Sequence, residues 1–232
     1  MKYIRLNVIA EGHAEEDFVK DSLAKYLIDF GVVVQARRVM TSNDKRKTYR
    51  GSLMKYLRAK MDIEAWIKEE KGSDPVFFTT MFDYYALPSD FPQFQEAHQK
   101  SSPYEVVSAL EASILKDIGH FRLIPYIQLH EFEALLLANP SNLLLEYSGA
   151  AKAVSKLEAV VGQFGGNPEM VNTGRETAPS KRIIDLIPEY SGNKVRVGAV
   201  LAGFDGIPYL KSRCRHFADW VDRLESLGLK QS

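Results

Sequence analysis

The strongest constraint on the fold is an alternation of short apolar runs with longer helical segments over the first 130 residues. The runs at 3–10, 32–39 and 76–82 are rich in apolar, β-branched and aromatic residues, as buried strands are. Segments of helical periodicity at 14–30 and 51–71 separate these runs. Strands that alternate with helices of this length are typical of a parallel sheet covered by helices. The sequence therefore predicts an α/β fold.

The rest of the chain adds one more strand and then turns helical. A helical segment at 103–118 leads to a fourth predicted strand at 121–129, and Pro125 within it indicates an edge position or a bulge. The later segments with helical periodicity are 130–146, 151–163, 179–188 and 209–228. We therefore predict an α/β core at 1–130, with a central, mostly parallel sheet of about four strands. A helical extension at 131–232 is expected to pack on this core in one compact unit.

The composition excludes several classes of protein. Lys and Arg total 30, as do Asp and Glu, so the net charge of zero argues against a broadly basic surface for nucleic acid or membrane. The single cysteine, Cys214, excludes an internal disulfide framework and a cysteine-built zinc site. No window reaches the roughly 18 consecutive apolar residues of a membrane span, and the first residues lack a signal peptide's apolar region. We therefore expect a cytoplasmic protein.

Acidic residues follow three of the predicted strands, where parallel sheets collect functional groups. Glu11 and Glu15 follow the first strand, Asp83 ends the third, and Glu131 and Glu133 follow the fourth. Carboxylates crowded at one sheet edge repel one another, and a hard cation such as Mg²⁺ or Mn²⁺ relieves that repulsion because it binds oxygen ligands. These five residues are the predicted metal ligands. Acidic residues near a helix N-terminus also complement the helix dipole, so an ordinary structural explanation stays open.

His130 lies directly before two of these acidic residues. In a helix His130 and Glu133 would be three residues apart and would share a face. His130 is therefore a candidate metal ligand, proton shuttle or phosphate contact. A helix cap held by a carboxylate is the alternative.

Two basic segments are candidate phosphate contacts. One begins a predicted helix just after Pro179, and a helix start is a ready anion site at which Lys181 would neutralise a leaving group. The other is the polar loop at 41–50, where an interleaved tyrosine resembles patches that follow a nucleic-acid backbone. Solvated surface loops explain both segments as well. The candidate phosphate or nucleic-acid contacts are Ser180, Lys181, Arg182, Arg46, Lys47 and Arg50.

Four strings carry a family resemblance over most of the chain. They are VIAEGHAEEDF at 8–18, FFTTMFDYYALPSDFP at 77–92, IQLHEFEALLLANP at 127–140 and ETAPSKRI at 176–183. With them the chain resembles the uncharacterised bacterial domain-of-unknown-function family 4276, which looks like a divergent branch of the Toprim-like superfamily. The middle two strings are specific to this family, whereas the opening Glu-Gly alone is a weak signal. The resemblance implies a Toprim-like α/β fold.

The resemblance also implies a metal site. Toprim domains hold Mg²⁺ to cut or join phosphodiester bonds, using a Glu after the first strand and an Asp-x-Asp after a later one. Glu11 matches the Glu and Asp83 matches the first Asp, but Tyr85 stands where the second Asp belongs. This departure leaves open whether the site is active. The acidic residues available to compensate are Glu15, Asp90, Glu131 and Glu133.

Three functions are compatible with the sequence. The first is a Mg²⁺- or Mn²⁺-dependent nuclease whose predicted catalytic residues are Glu11, His130 and Lys181. Resemblance to nucleases of the overcoming-lysogenisation-defect type implies an ATPase partner and a role in phage defence. The second is a catalytically degenerate adaptor or sensor that docks on an ATPase through the C-terminal helices. The third is phosphoryl chemistry on a small nucleotide, which a net charge of zero favours over long nucleic acid.

Overall fold

A parallel sheet lies at the centre of the protein, whose computed structural model describes residues 3–39, 55–70, 75–172 and 174–229. The strands are β1 Ile4–Ala10, β2 Val32–Arg38, β3 Val76–Asp83, β4 Leu123–Ile124 and β5 Ile127–Gln128. Their order is β2-β1-β3-β4, and β5 also pairs with β3. Every pairing is parallel. The predicted α/β fold is confirmed, and its carboxyl strand ends meet at one edge of the sheet.

Pro125 divides the predicted fourth strand into β4 and β5. The hydroxyl of Thr80 on β3 spans the gap, because its Oγ1 donates to the Tyr126 carbonyl at 2.8 Å and accepts from the Tyr126 N–H at 2.9 Å. Proline cannot donate to a strand ladder, so a side chain supplies part of the pairing beside it. The predicted interruption at Pro125 is therefore present, in the edge strand that pairs with β3.

Helices cover the sheet. The α-helices are α1 His13–Phe18, α2 Ala24–Leu27, α3 Tyr56–Glu69, α4 Phe94–Ala97, α5 Pro103–Ile118, α6 Glu133–Leu136, α7 Ala151–Gln163, α8 Pro179–Leu186, α9 Tyr190–Gly203, α10 Ile207–Arg213 and α11 Arg215–Leu229. A π-helical turn at Val19–Leu23 joins α1 to α2. With the 3₁₀ turn Ile28–Phe30 these segments form one helical rod over residues 13–30. Gly31, at a φ of 75°, ends the rod as a C-cap glycine does.

Shorter 3₁₀ segments connect several of these helices. Further 3₁₀ turns are Tyr84–Ala86, Pro140–Leu145, Pro168–Met170 and Arg175–Thr177.

Among the residues that the structure describes, no helix is long and apolar enough to cross a membrane.

Two helical predictions for the second half need correction, and one helix was missed. Segment 130–146 holds only the short α6 and a 3₁₀ helix. Segment 209–228 is two helices, because the backbone of Cys214 between them is extended, with φ −120° and ψ 100°. Helix α9 was not predicted at all. The division into two parts at residue 130 stays a prediction.

Two apolar cores lie on the two faces of the sheet. Alternate residues of a strand point to opposite faces, so Val8 and Ile9 of β1 enter different cores. Val8 belongs to a core that includes Phe217 of α11 and much of the C-terminal region. Ile9 belongs to the other core, with Ile63 of α3 and Leu110 of α5. The C-terminal helices therefore complete one of the two layers around the sheet.

Candidate functional site

Strands β1 and β3 end side by side and carry the first two carboxylates. Ala10 lies opposite Met81 in the register, and the N–H of Glu11 donates to the Met81 carbonyl at 3.0 Å. The side chain of Glu11 then turns towards β3, where its Oε2 accepts the N–H of Asp83 at 2.9 Å. The parallel pairing thus places Glu11 and Asp83 together at the carboxyl edge of the sheet.

Glu15 joins them from the first turn of α1. Its Oε2 accepts the N–H of Gly12 at 2.9 Å, and the residue is 7% exposed. A Cβ at position 12 would lie 2.9 Å from that same oxygen. The φ of Gly12, −135°, suits any residue, so the glycine provides space and not a special conformation. The close neighbour that it admits is the carboxylate of Glu15.

Glu131 and Glu133 come from the segment after β5. Glu131 Oε2 accepts the N–H of Ser180, in the first turn of α8, at 2.9 Å. Glu133 begins α6 and is fully buried. Its Oε1 accepts the hydroxyl of Tyr190 at 3.1 Å and lies 2.9 Å from Nζ of Lys194. Both carboxylates are thereby tied to helices of the C-terminal region.

These five residues form one electrostatic unit, called here the acidic cluster. Burial raises the pKa of Asp83 well above its usual range, and the charges of Glu15, Glu11, Glu133 and Glu131 raise it further. Burial likewise raises the pKa of Glu15 to about 7, with Glu133 adding to the effect. The pKa of Glu133 is also raised, chiefly by burial. The other four predicted metal ligands therefore lie close enough to Asp83 to repel its charge.

Lys194 of α9 is a charged neighbour that the sequence did not indicate. Burial alone would lower its pKa, but Glu133, Glu131 and Asp83 outweigh this effect and hold the pKa above its usual value. Its side chain is still 40% exposed. Tyr190 and Lys194 are four residues apart and so share a face of α9. That spacing is the only signal in the sequence that pairs them.

The donor set of the acidic cluster suits a hard cation. All its ligand atoms are carboxylate oxygens, and Asp83 Oδ1 and Glu133 Oε2 are buried without a hydrogen-bond partner in the described part of the chain. No three His, Cys, Asp or Glu side chains within the described ranges are arranged as a ready-made metal group. Other carboxylate oxygens already face Gly12, Ser180 and Lys194. A cation therefore fits this chemistry after some of these contacts are exchanged.

His130 lies beside the acidic cluster in a strained backbone conformation. Its φ is 62°, and α6 begins only after it, so the predicted helical face shared with Glu133 is wrong. The N–H of Tyr85 donates to the His130 carbonyl at 2.8 Å and fixes this turn. The ring lies 6.3 Å from that of Tyr84, and Nδ1 is 3.3 Å from Asn172 Nδ2. Burial lowers the pKa of His130 to about 4, so its imidazole is neutral at pH 7.

The predicted phosphate contacts are only partly near the acidic cluster. The N–H of Ser180, expected to meet an external anion, meets Glu131 of the protein itself. Lys181 is exposed to solvent. Arg182 donates from Nε to the Thr177 carbonyl at 2.8 Å. The predicted nucleic-acid contacts Arg46, Lys47 and Arg50 lie outside the described residues.

Two residues singled out by the resemblance serve elsewhere. Tyr85, at the position of the second aspartate, has 39% of its surface exposed. Asp90, a proposed substitute ligand, accepts the N–H of Tyr56 at 3.0 Å and thereby caps the start of α3. Of the residues named as substitutes for the second aspartate, Glu15, Glu131 and Glu133 belong to the acidic cluster and Asp90 does not.

The fold and site define an α/β protein whose parallel sheet presents a buried group of carboxylates at its carboxyl edge. The family model described as Domain of unknown function (DUF4276) matches residues 10–225, which include the acidic cluster and Lys194. The chain belongs to this family, which confirms that part of the resemblance. No curated protein and no solved structure matches the chain.

Proposed function

We propose that this protein is a Mg²⁺- or Mn²⁺-dependent phosphodiesterase, a nuclease of Toprim-like ancestry. The observation that carries the proposal is the acidic cluster, which assembles five carboxylates from β1, β3, α1 and the segment after β5. Two buried oxygens, Asp83 Oδ1 and Glu133 Oε2, have no hydrogen-bond partner among the described residues. Groups of this kind reduce stability unless a cation joins them, so a metal-binding role accounts for their presence.

The residues of the acidic cluster would divide the work as follows. Asp83 and Glu133 would bind the metal through their unpartnered oxygens, with Glu11, Glu15 and Glu131 completing the ligand set. The ion would supply charge neutralisation and an activated water for attack on phosphorus. The other groups that would act on substrate are His130, Lys194 and Lys181.

Neutral His130 and the two lysines would act by different means. Nδ1 of His130 accepts from the amide of Asn172, so the neutral ring carries its proton on Nε2, which is buried without a hydrogen-bond partner in the described ranges and would donate to a phosphate oxygen. Lys194 is exposed enough to contact a phosphate oxygen. Lys181 lies at the solvent surface of α8, next to the residue whose N–H binds Glu131. A phosphate bound along this side of the cluster would lie within reach of both cations.

The biological setting proposed for this activity rests mainly on the family resemblance. An ATPase partner, a nucleic-acid substrate and a role in phage defence follow from the nucleases that the sequence resembles. A cytoplasmic location agrees with Cys214, which is a free and buried thiol, since reducing compartments preserve such thiols.

A second candidate function is that of a catalytically inactive adaptor or sensor subunit. Tyr85 in place of an aspartate favours it, as does the ion pair between Lys194 and Glu133, which neutralises part of the acidic cluster without a metal. Such a subunit would keep the fold and the interface of a nuclease while binding divalent cations weakly or not at all.

The two candidates differ in metal binding and cleavage. Mn²⁺ binding is measured by calorimetry on the wild type and on Glu11→Gln and Asp83→Asn, followed by cleavage assays on single- and double-stranded DNA and RNA. We expect the wild type to bind and cleave, and both variants to lose most of each activity. Asp29→Asn, which alters an exposed carboxylate in the turn before β2, is the matched control and should behave as wild type. A folded wild type that binds no Mn²⁺ would favour the adaptor.

A further inference from the structure

The acidic cluster already contains a cation, the ammonium group of Lys194. Nζ lies 2.9 Å from Oε1 of Glu133. The charge of Lys194 also lowers the pKa of Glu15, and Glu131 and Asp83 act on Lys194 in turn. Four of the five carboxylates therefore interact with this one ammonium group.

A divalent ion would need the same carboxylates. Glu133 has one oxygen on Lys194 and the other, Oε2, buried without a partner in the described part of the protein. An ion that binds Glu133 and Asp83 would bring two positive charges next to the ammonium group. Like charges a few ångströms apart repel strongly in a poorly solvated site. The divalent ion and the ammonium group of Lys194 therefore cannot both occupy their preferred positions at the same time.

We propose that Lys194 competes with the divalent cation for the acidic cluster and so sets the metal concentration at which the site fills. The inference rests on the proposed function, because it concerns the same metal site. Metal binding moves the ammonium group away from Glu133 towards solvent, which its side chain, 40% exposed, already reaches. Lys194 thus serves as an internal counter-ion of the acidic cluster in the metal-free protein.

A purely structural role for Lys194 makes a different prediction. If the lysine only held Glu133 in place, its loss would disorder a ligand and weaken metal binding. Glu133 has a second support, however, because Tyr190 donates its hydroxyl to the same Oε1 at 3.1 Å. Glu133 is therefore expected to keep its orientation when the lysine is replaced.

The first test measures Mn²⁺ affinity in two variants that differ in charge. Lys194→Met removes the charge and keeps an unbranched side chain, whereas Lys194→Arg keeps the charge and is the matched control. Since one unit charge within a few ångströms of the ion is removed, we expect Lys194→Met to bind Mn²⁺ at least about tenfold more tightly than wild type. Lys194→Arg should bind as wild type does. Unchanged or weaker binding by folded Lys194→Met would overturn the inference.

The second test uses the wild type and does not depend on the folding of a variant. Amines are acetylated with a water-soluble reagent, with and without Mn²⁺, and labelling is read for each lysine by peptide mass spectrometry. Displacement from Glu133 should increase the labelling of Lys194 several-fold when Mn²⁺ is present. The exposed residues Lys25 and Lys152 are internal controls and should not change. Labelling of Lys194 that stays constant or falls would contradict displacement.

A nuclease assay on the same samples separates this inference from the proposed function. Tighter Mn²⁺ binding by Lys194→Met without cleavage by any sample would support competition and contradict a nuclease. An active wild type with unaltered affinity in Lys194→Met would overturn competition alone. Absence of Mn²⁺ binding from the wild type and both variants would overturn competition and the metal site together.

Discussion

At the scale of single residues, the carboxylates of the acidic cluster differ in how well the protein stabilises their charges. Oε2 of Glu11 and Oε2 of Glu15 each accept a main-chain N–H, which stabilises a carboxylate. Asp83 Oδ1 has no such partner among the described residues and faces four other carboxylates. Natural sites that keep an unfavourable group of this kind exchange stability for function. Asp83 is the member of the cluster whose pKa is raised by all four of the other carboxylates.

Replacement of Asp83 by asparagine should therefore stabilise the metal-free protein. Because the folded state raises the pKa of Asp83, it holds the proton more tightly than the unfolded chain does. Ionisation then reduces the free energy of unfolding as pH rises from about 4 through the folded pKa. We expect Asp83→Asn to be more stable than wild type by about 1–2 kcal/mol at pH 8 and equal to it below about pH 4. Urea denaturation in the presence of a chelator measures the difference.

A matched surface variant tests whether the gain belongs to the cluster. Asp29→Asn removes an equal charge from an exposed turn, so its stability should stay within about 0.5 kcal/mol of wild type at both pH values. A loss of stability in Asp83→Asn at pH 8 would show that the carboxylate of Asp83 has a partner that stabilises it in the folded state.

At the scale of elements, the position of α9 places Lys194 beside the acidic cluster. Glycines allow this helix to pack closely against its neighbours. A Cβ at Gly203 would lie 2.0 Å from Oγ of Ser22, in the π-helical turn of the first helical rod. A Cβ at Gly198 would lie 3.7 Å from Cε1 of Phe132, just before α6, and 3.3 Å from the Tyr190 hydroxyl of α9 itself. Close packing against the rod therefore helps to hold α9 where Lys194 can form its ion pair with Glu133.

The prediction for this helix compares two glycines. Gly203→Ala places a methyl group 2.0 Å from Ser22 Oγ and 3.0 Å from Ser22 Cβ, so the serine side chain or one of the two helices must shift. We expect it to lower the free energy of unfolding by about 2–3 kcal/mol, as overpacked sites do. Gly192→Ala, on the same helix with open space around it, should instead stabilise the protein by about 0.5–1 kcal/mol. Urea denaturation curves of both variants give the comparison, and a stable Gly203→Ala would show that the contact relaxes freely.

The same helix shows where prediction from the sequence fails. Strands β1 and β3 and helices α3 and α5 were predicted because each has one strong apolar period or run. Helix α9 combines three glycines with β-branched valines, which weakens helix propensity, and it has little amphipathic pattern. The helix therefore depends on its packing against the rest of the protein, which the local sequence pattern does not reveal. The carboxylates at strand ends were predictable from strand direction, whereas Lys194 required knowledge of where α9 lies.

At the scale of the whole molecule, a buried polar link joins the sheet layer to the C-terminal helices. Glu111 of α5 accepts the N–H of Ile127 at 2.8 Å, and its Oε1 lies 2.8 Å from Nε2 of His216 in α11. Glu169 accepts the N–H groups of His216 and Phe217 and so caps α11. The link holds α11 against the edge of the sheet, in the layer that also positions α9. Its protonation is therefore expected to affect the stability of the entire fold.

The pH dependence of this link can be derived from His216, which is 7% exposed. Burial alone would lower its pKa, but the hydrogen bond and charge of Glu111, with Glu169 and Asp219, raise it above the usual value. A raised folded pKa means that the stabilisation is fully present below about pH 6.5 and is lost as pH rises through the folded pKa. The aromatic neighbours Tyr104 and Tyr126 pack on the ring and contribute no charge at these pH values.

We therefore expect His216 to account for about 1 kcal/mol of the unfolding free energy that the wild type loses between pH 6 and the alkaline side of this transition, an amount typical of one buried interaction. The carboxylates of Asp83 and Glu15 add their own losses over this range. His216→Gln keeps a polar side chain that does not titrate, so its stability should be lower at pH 6 and should change less with pH. His98→Gln, at an exposed histidine, is the control and should retain the wild-type profile. Chemical denaturation at a series of pH values distinguishes the two. If His216→Gln kept the full pH dependence, protonation of His216 would not be what links α11 to the sheet, and another group, such as Glu15 in the acidic cluster, would account for the profile.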